Sequence, residues 1–255
     1  MEHVEVQGVR IPAIGLGTWQ LRGEACREAV AHAISVGYRH IDTARAYRNE
    51  TEVGQGIRDS GVDRDELFLV TKVPPSDADR DGVDREVAAS LRELAVDRID
   101  LLLLHWPSPV PIAETMAAFR AQQDAGRVRH LGVSNFSVAR LEEARAQAPL
   151  LTVQNEYHPG HPDPEVLAWC QANDLAYTAY SPLATGSAAD RAALADIGER
   201  HGKTAAQVAL RWLIQQDDVV TIPRSSDPTH REQNLDVFDF ALTDAEMERI
   251  TAGRG

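Results

Sequence analysis

Four ionisable side chains of different types follow three successive apolar runs of the sequence. A carboxylate, Asp42, follows the first run, and a phenol, Tyr47, stands five residues later in the segment DTARAYRNE. Lys72 ends the second run, and His105 follows the third. Functional groups at the carboxyl ends of parallel strands meet on one face of a sheet. The repetition therefore predicts one polar site built from these four side chains.

Each of the four side chains also has a plain structural explanation when it is considered alone. A lysine at a strand end is usually a solvated charge, a histidine after an apolar run is usually structural, and Asp42 could cap the segment that follows it. Considered together they are harder to dismiss. Lys72 and Asp42 on neighbouring strands can pair, and burial of either charge without a partner is costly.

A tyrosine beside that lysine has a chemical use. A free phenol has a pKa of about 10, too high to release a proton readily at neutral pH. An adjacent ammonium favours the phenolate, so we expect Lys72 to lower the pKa of Tyr47. Tyr47 can then act as a general acid towards a carbonyl oxygen, and His105 can hydrogen-bond the same oxygen and orient the substrate.

The elements that must position these residues come from a regular alternation of apolar runs and helix-length segments. After a hairpin across Gln7 and Gly8, the expected strands cover residues 13–17, 38–41, 67–71, 99–104, 128–133, 151–154, 175–180 and 219–223. The expected helices cover residues 24–37, 51–61, 81–95, 112–126, 137–148, 163–173, 189–202, 204–216, 227–235 and 243–250. Parallel strands need such crossovers, and nearly continuous apolar strands are typical of a sheet buried on both faces. The sequence therefore predicts an α/β fold: a single (β/α)8 TIM barrel domain over residues 1–255, with an N-terminal β-hairpin and a short C-terminal tail.

An open, doubly wound sheet is the alternative architecture. The segment GLGTW at 15–19 resembles the start of a glycine-rich dinucleotide fingerprint, but its third glycine is missing. No acidic residue ends the next strand in the role that this fingerprint requires. The closed barrel is therefore the preferred prediction.

The composition argues against several other classes of protein. The chain has 255 residues, 43% of them hydrophobic and 25% charged, and its net charge of −13 attracts neither nucleic acid nor an anionic membrane. An anionic ligand would need a local basic site. Cys26 and Cys170 are far apart in helical patterns, and the N-terminus has no signal-peptide pattern. We therefore expect a cytoplasmic protein without nucleic-acid or membrane partners.

Further polar and aromatic side chains follow the other strands. Barrel enzymes place functional groups at the C-terminal strand ends. The residues at those positions are Thr18, Trp19, Trp106, Ser134, Asn135, Gln154, Asn155, Tyr180, Ser181, Arg224, Ser225 and Ser226. They predict a mouth rich in hydrogen-bonding and aromatic groups, with Arg224 as a basic residue where barrels often bind phosphate.

With these motifs the sequence resembles the aldo-keto reductases, in particular bacterial members similar to 2,5-diketogluconate reductases. The matching segments run over essentially the whole chain in the family's order: GLGTW, GYRHIDTARAYRNE, TK at 71–72, HWP at 105–107, GVSNF at 132–136, QNEYHP at 154–159, YSPL at 180–183 and IPRS at 222–225. A lone TK or HWP would be weak, whereas DTARAYRNE with the others in sequence is highly specific. The resemblance implies a (β/α)8 barrel and NAD(P)H-dependent reduction of aldehydes or ketones to alcohols.

The resemblance also implies roles for residues of this sequence. Tyr47 would be the proton donor, and a catalytic tetrad would be completed by Asp42, Lys72 and His105. The nicotinamide carboxamide would be held by Ser134, Asn135 and Gln154, its ring would stack on Tyr180, and the pyrophosphate would contact Ser181 and Leu183. Thr18 and Asp42 would lie beside the cofactor. The carbonyl pocket would be lined by Trp19, Tyr47, His105 and Trp106; no metal is implied, and a monomer is the family's common form.

The segment IPRSSDPTHREQN at 222–234 departs from the family's pattern. Members that prefer the 2′-phosphate of NADPH usually carry Lys after IP, Arg six residues later and Glu-Asn at nine and ten. The corresponding residues here, with Ser225 beside them, are Arg224, His230, Gln233 and Asn234. Arg224 keeps a cation, but His230 is mostly neutral at pH 7, and the loss of a charge-assisted contact costs about 1.5–3 kcal/mol. We therefore expect NADPH as cofactor with a blunted preference and appreciable use of NADH, unless Arg231 replaces the lost charge.

The chain ends soon after the helix expected at 243–250. Many members of the family continue with a loop that folds over the substrate pocket. We therefore expect an open, permissive site here, and the sequence does not name the carbonyl substrate.

Three other functions compete with this interpretation. A Schiff-base aldolase on the same fold would use Lys72 as its nucleophile. A non-catalytic relative would only bind the cofactor. A metal hydrolase would need ligands such as His158 and His161, but both lie in one loop, HPGHP, without an apparent third ligand.

Overall fold

The computed structural model, which describes residues 2–184 and 188–252, contains a sheet of eight parallel strands. Each strand pairs with the next one along the chain. The strands are β3 (Leu16–Gly17), β4 (His40–Asp42), β5 (Phe68–Val73), β6 (Ile99–Leu104), β7 (Val128–Ser134), β8 (Thr152–Glu156), β9 (Ala176–Tyr180) and β10 (Val219–Thr221), after the hairpin strands β1 (His3–Val6) and β2 (Val9–Pro12). The prediction of parallel strands is confirmed, with ends displaced by a few residues.

The sheet closes on itself between its first and last strands. Ile14 pairs in parallel with Thr221. The Gly15 amide donates to the Thr221 carbonyl over 2.8 Å, and the Thr221 amide donates to the Ala13 carbonyl over 2.9 Å. Such closure removes the free edges of a sheet. The predicted barrel is therefore confirmed, and the open doubly wound sheet is excluded.

Ten helices surround the barrel within the described ranges. They are α1 (Gly23–Ser35), α2 (Glu50–Asp59), α3 (Arg80–Leu94), α4 (Ile112–Asp124), α5 (Val138–Arg145), α6 (Pro164–Ala172), α7 (Ala188–His201), α8 (Ala205–Ile214), α9 (Pro228–Leu235) and α10 (Asp244–Thr251). Their buried residues recur at helical spacing, as Val83, Val87 and Leu94 do in α3. This helix thus packs with one apolar face, whereas the buried residues of α9 are polar, Arg231 and Asn234.

The N-terminal hairpin covers the amino-terminal end of the barrel. Gln7 and Gly8 in its turn have positive φ values of 51° and 74°, as a two-residue turn between antiparallel strands requires. Val6 and Ile11 share an apolar cluster with residues near the starts of the barrel strands: Phe68, Val70, Leu101 and Ala176. The hairpin therefore seals the end of the barrel opposite to the predicted site.

Two expectations concern the ends of the chain and membranes. The predicted C-terminal tail follows α10, and its residues 253–255 lie outside the described residues. Among the helices that the structure describes, none combines the length and the apolar composition needed to cross a membrane.

Candidate active site

The carboxyl ends of three neighbouring strands bring the predicted ionisable side chains together. Asp42 is the last residue of β4, Lys72 lies near the end of β5, and His105 directly follows β6. Tyr47 ends a short 3₁₀ turn, Arg45–Tyr47, between β4 and α2. Since β4, β5 and β6 are successive strands of the sheet, the four side chains share one end of the barrel.

Asp42 and Lys72 form a buried ion pair, as expected. Lys72 Nζ donates to Asp42 Oδ1 over 2.5 Å and to the Thr43 carbonyl over 2.9 Å. The two side chains are 1% and 0% exposed, respectively. Burial by itself lowers the pKa of Lys72, but the Asp42 carboxylate and Tyr47 together hold that pKa above its ordinary value. Lys72 is therefore a fixed cation.

Tyr47 lies directly against this cation. Its hydroxyl is 3.4 Å from Lys72 Nζ, and the same Nζ is 5.1 Å from the centroid of the phenol ring. Burial raises the pKa of Tyr47, and the Lys72 ammonium offsets that rise only in part. The expectation that Lys72 lowers this pKa below the ordinary value is therefore wrong, because removal of the phenol from water outweighs the neighbouring charge. The phenol keeps its proton at neutral pH.

His105 stands edge-on to Tyr47. The two ring centroids are 5.6 Å apart, with an angle of 76° between the ring planes. Burial, and then the nearby Lys72 charge, lower the pKa of His105 to about 4. At neutral pH the imidazole is therefore uncharged, with one nitrogen that donates a hydrogen bond and one that accepts.

Asp42, Tyr47 and His105 border a cleft of about 580 Å³, and the buried Lys72 is not among the residues of its wall. Most of the residues expected at the site line its wall: Trp19, Asp42, Tyr47, His105, Trp106, Ser134, Asn135, Gln154, Tyr180, Ser181, Leu183 and Arg224. Trp19 and Trp106 are 54% and 49% exposed. Large apolar side chains left in water commonly mark a binding surface. The two indoles therefore give the cleft an apolar region suited to the body of an organic substrate.

Asn135 organises a second, polar part of the cleft wall. Its side-chain Oδ1 accepts from the Tyr180 hydroxyl over 2.7 Å. Its Nδ2 donates to the Ser134 hydroxyl and to the His105 carbonyl, each over 3.0 Å. Burial, with a smaller effect from Glu156, raises the pKa of Tyr180 to about 12, so this hydroxyl remains a donor.

Gln154 connects the polar wall to the ion pair. Its Nε2 donates to Asp42 Oδ2 over 2.8 Å, and its backbone carbonyl accepts from the Ser134 hydroxyl over 2.6 Å. Both carboxylate oxygens of Asp42 are thus engaged, one by Lys72 and the other by Gln154. A ligand that moves the Gln154 amide would therefore also act on Asp42.

The chemistry of the wall fits a nicotinamide cofactor. The side chains of Ser134, Asn135 and Gln154 offer both donors and acceptors, which a carboxamide needs. The Tyr180 ring is partly exposed in the cleft and can take a flat heterocycle against its face. Arg224 is an exposed cation of the same wall and suits an anionic phosphate.

Several residues expected to bind the cofactor lie outside the cleft wall. Thr18 is buried, and its hydroxyl donates to the Asp42 carbonyl over 3.0 Å. The others belong to the loop after β10 or to α9: Ser225, His230, Gln233 and Asn234. His230 is exposed to solvent, whereas Ser225 and Asn234 are buried. The structure therefore does not bring His230 into the wall beside Arg224.

Arg231 has a different use from the one the sequence suggests. It is buried, and its Nη1 donates to the Ser225 carbonyl over 3.1 Å. Its Nε donates to His32 Nδ1 over 3.3 Å, and burial lowers its pKa. The guanidinium thus holds the backbone of the loop after β10 and adds no cation to the cleft wall.

The sequence pattern does not reveal the residues that hold the Tyr47 segment in place. Asn49 donates to the carbonyls of Thr18 and Leu21 over 2.8 and 3.1 Å, and accepts from the Thr43 hydroxyl over 2.8 Å. The Arg22 side chain donates to the Tyr47 carbonyl. A polar residue in a turn carries no periodic signal of burial, so these contacts become apparent only in the fold.

The loop that contains His158 and His161 is stabilised by hydrogen bonds within the loop itself. Within residues 2–184 and 188–252, no group of three or more His, Cys, Asp or Glu side chains is arranged to hold a metal ion. His158 Nδ1 accepts from the Gly160 amide over 3.1 Å, and the rings of His158 and His161 are 5.9 Å apart. These contacts match a role in the turn.

Known proteins resemble this chain over nearly its whole length. Residues 13–253 match the model of the Aldo/keto reductase family. An aldo-keto reductase of Mycolicibacterium smegmatis is 43% identical over 249 residues, which cover 96% of this chain and 90% of the relative. Glyoxal reductase of Bacillus subtilis is 40% identical over 251 residues, again 96% of this chain and 90% of the relative.

Solved structures resemble it equally closely. The crystal structure of a protein described as a 2,5-diketo-D-gluconic acid reductase B superimposes with a TM-score of 0.96 at 42% sequence identity. The superposition covers 100% of this chain and 94% of that one. The fold is thus shared over the whole chain.

Proposed function

The chain belongs to the aldo/keto reductase family, and from this membership we propose how its cleft works. It is an NAD(P)H-dependent oxidoreductase that reduces aldehydes or ketones. We propose that Tyr47 supplies the proton, that Lys72 stabilises the phenolate left behind, and that His105 orients the carbonyl. The observation that carries this proposal is the 3.4 Å contact between Lys72 Nζ and the Tyr47 hydroxyl in the cleft wall.

In this mechanism Tyr47 is the general acid. A reduced nicotinamide supplies the hydride when it is bound in the cleft. As negative charge develops on the carbonyl oxygen, the Tyr47 O–H bond breaks and its proton passes to that oxygen. The resulting phenolate is stabilised by the Lys72 ammonium, a charge-assisted contact that is stronger after proton transfer than before it. Because burial raises the pKa of Tyr47, the proton is present at the start of the reaction.

His105 acts on the same carbonyl oxygen without giving up a proton. Its pKa of about 4 leaves the imidazole neutral, so one ring N–H donates a hydrogen bond. A fixed donor aimed at an oxygen that gains charge lowers the barrier. The indoles of Trp19 and Trp106 support the substrate body on the exposed side of the cleft.

The contacts of Lys72 count against a Schiff-base aldolase. An ammonium has three N–H donors, and three acceptors surround this one: Asp42, the Thr43 carbonyl and the Tyr47 hydroxyl. The raised pKa keeps the amine protonated, whereas a nucleophilic lysine needs a free amine. The same complete set of groups argues against a relative that only binds the cofactor.

The cofactor contacts follow from the polar wall. We propose that Ser134, Asn135 and Gln154 hold the carboxamide and that the Tyr180 ring stacks on the nicotinamide. Ser181 and Leu183 belong to the same wall and would contact the pyrophosphate. Thr18 would act beside the cofactor through Asp42, because its hydroxyl donates to the Asp42 carbonyl over 3.0 Å.

The choice between NADPH and NADH depends on the segment after β10. We propose that Arg224, Ser225, Gln233 and Asn234 contact a 2′-phosphate, whereas the exposed His230 lies outside the cleft wall. The Asp227 carboxylate already occupies the amides of Thr229 and His230, over 2.8 and 3.2 Å, and would repel a phosphate there. We therefore propose that NADPH is used with only a modest preference over NADH.

A panel of aldehydes and ketones assayed with each cofactor tests this proposal. We expect turnover of reactive aldehydes with both NADPH and NADH, and kcat/KM values that differ by about tenfold or less, the worth of one weak charge-assisted contact. A strong bias towards NADPH would refute the cofactor argument. The absence of turnover with every carbonyl compound and both cofactors would refute the catalytic one.

We also propose a monomer that works on small molecules in the cytoplasm. The net charge of −13 supports the choice of small molecules as partners, because it disfavours binding to nucleic acid and to anionic membranes. Sedimentation of the purified protein tests the state of assembly, and a mass of two chains would contradict it.

A further inference from the structure

The turn that carries Tyr47 is held by an ion cluster that no step of this mechanism uses. Arg45 Nη1 donates to Glu50 Oε2 over 2.5 Å and to Glu93 Oε2 over 2.7 Å. Arg45 Nε donates to Glu86 Oε2 over 2.9 Å. The Arg45 side chain is 18% exposed and that of Glu50 is 0% exposed. One guanidinium thus joins three carboxylates, one from α2 and two from α3.

Glu50 extends this cluster to the strand that carries Lys72. Its Oε1 accepts from the Thr71 hydroxyl over 2.6 Å, and Thr71 immediately precedes Lys72 on β5. Thr71 and Glu50 are both buried. The Glu50 carboxylate therefore links two segments: β5, which carries Lys72, and the turn Arg45–Tyr47, which carries the phenol.

Arg45 supplies the charge that Glu50 needs. The two carboxylates of α3 each have a second, exposed arginine: Arg85 lies 3.4 Å from Glu86, and Arg92 lies 3.8 Å from Glu93. Within the described residues, the cation paired with Glu50 is Arg45. A buried carboxylate without a cation is strongly unfavourable. Burial lowers the pKa of Arg45, but its hydrogen bonds to the three glutamates raise that pKa above the ordinary value, so it stays charged.

We propose that Arg45 is a positioning residue for carbonyl reduction, because it fixes Glu50 between α3 and Thr71 and so holds the Tyr47 hydroxyl within 3.4 Å of Lys72 Nζ. The inference rests on the proposed role of Tyr47 as proton donor. Arg45 itself is not part of the described cleft wall, so it acts through the turn and not on the substrate. Misplacement of a reacting group by 1 Å can cost on the order of 10²-fold in rate.

Replacement of Arg45 separates this role from cofactor binding. For Arg45→Gln we expect kcat to fall by about tenfold or more, while the cofactor Kd from fluorescence titration changes by less than about twofold. Arg45→Lys should recover part of kcat, because an ammonium can pair with Glu50 but cannot span all three carboxylates as the guanidinium fork does. Arg92→Gln is the matched control, since Arg92 is 72% exposed on α3 and should leave kcat unchanged.

A second variant separates positioning from loss of stability. Arg45→Gln leaves the buried Glu50 carboxyl group without its arginine, whereas Arg45→Gln with Glu50→Gln removes that carboxyl group as well. We expect the double variant to regain most of the Tm lost by Arg45→Gln and to keep a kcat at least about fivefold below that of the unaltered protein. Recovery of kcat together with Tm would overturn the proposal, because the buried charge alone would then explain the loss.

The outcome is distinguishable from a failure of the proposed function. If Tyr47→Phe keeps its turnover, the proposed function fails. If Tyr47→Phe is inactive while Arg45→Gln and Arg45→Lys both keep the kcat of the unaltered protein, only the positioning role of Arg45 fails. Should Arg45→Gln not fold, Arg45→Lys decides: unaltered kcat contradicts the proposal, and reduced kcat with unchanged cofactor Kd supports it.

Discussion

Two regions marked for function in the sequence are held by the fold in opposite ways. At the ends of β4 and β5, Asp42 and Lys72 are buried and each is hydrogen-bonded on more than one side. In the segment after β10, Arg224 and His230 are exposed, and the buried Arg231 is bonded to the loop's own backbone. The first region is held by burial and by several hydrogen bonds, whereas the second leaves Arg224 and His230 in solvent.

This difference teaches where substitutions should act. Groups fixed by burial and by the strands of a barrel can stabilise a transition state without reorganising, so changes there should lower kcat. Exposed side chains on a loop and a short helix contribute screened contacts of modest energy. Changes in the segment 222–234 should therefore alter the affinity for one cofactor and leave the chemical step alone.

A large effect on the buried side is expected from Lys72→Met. The Tyr47 phenolate loses its stabilising charge, and Asp42 is left as an uncompensated buried carboxylate, which costs about 3–5 kcal/mol of stability. We expect kcat to fall by on the order of 10²–10⁴-fold, the usual worth of general acid catalysis. Steady-state assays with a reactive aldehyde measure kcat, and calorimetry measures the fall in Tm.

Lys203→Met is the matched control, because Lys203 is the only other lysine of the sequence. Lys203 also pairs with two carboxylates, those of Asp236 and Asp239, each over 2.8 Å, but away from the cleft wall. The kcat of Lys203→Met should stay within about twofold of that of the unaltered protein. Similar losses of kcat in the two variants would mean that any lost ion pair has this effect.

A smaller loss is expected from Asp42→Asn. The shape of the side chain is kept, but the charge that raises the pKa of Lys72 is removed, so the cation beside Tyr47 is weakened. We expect kcat to fall by about 10- to 100-fold. Asp100→Asn is the control. Asp100 is buried near the start of β6, at the end of the barrel opposite to the cleft, and forms ion pairs with Arg64 and Arg129 over 2.6 and 3.0 Å. An equal fall in kcat for Asp100→Asn would contradict the argument.

A gain is expected on the exposed side from His230→Arg. An arginine side chain is long and permanently charged, so from the exposed position 230 it would add about one charge-assisted contact to a 2′-phosphate, and kcat/KM with NADPH should rise by roughly tenfold. The value with NADH should not change. Thr229→Arg, one position earlier on the same exposed turn of α9, tests whether any added charge is enough. Equal rises for NADPH and NADH would show that position 230 does not face the phosphate.

The smallest effect is expected from pH in the neutral range. The pKa of His105 is about 4 and that of Tyr47 lies above its ordinary value, so neither group changes its proton between about pH 6 and pH 9. We expect kcat to vary by less than about twofold there. It should fall in acid as His105 gains a proton, and in strong base as Tyr47 loses one. A limb centred near pH 7 would contradict both assignments.

Local pattern was sufficient for the barrel and for part of the site. Apolar runs predict each strand, and the residue after a run is placed at the barrel's mouth, which is how Asp42 and His105 are found. The contacts of Arg45 were not predictable, because its partners on α3 lie 41 and 48 residues away in sequence and carry no local signal. The pKa of Tyr47 was predicted with the wrong sign, because a sequence shows the neighbouring charge but not the depth of burial.

Tyr47→Phe tests the central claim most directly. Removal of one oxygen atom leaves the ring, the ion pair behind it and the polar wall of the cleft in place. We predict that carbonyl reduction falls to on the order of 10⁻³ of the unaltered rate or less, while fluorescence titration gives a cofactor Kd within about twofold. Near-normal turnover in this variant would show that another group delivers the proton, and the proposed mechanism would then be wrong.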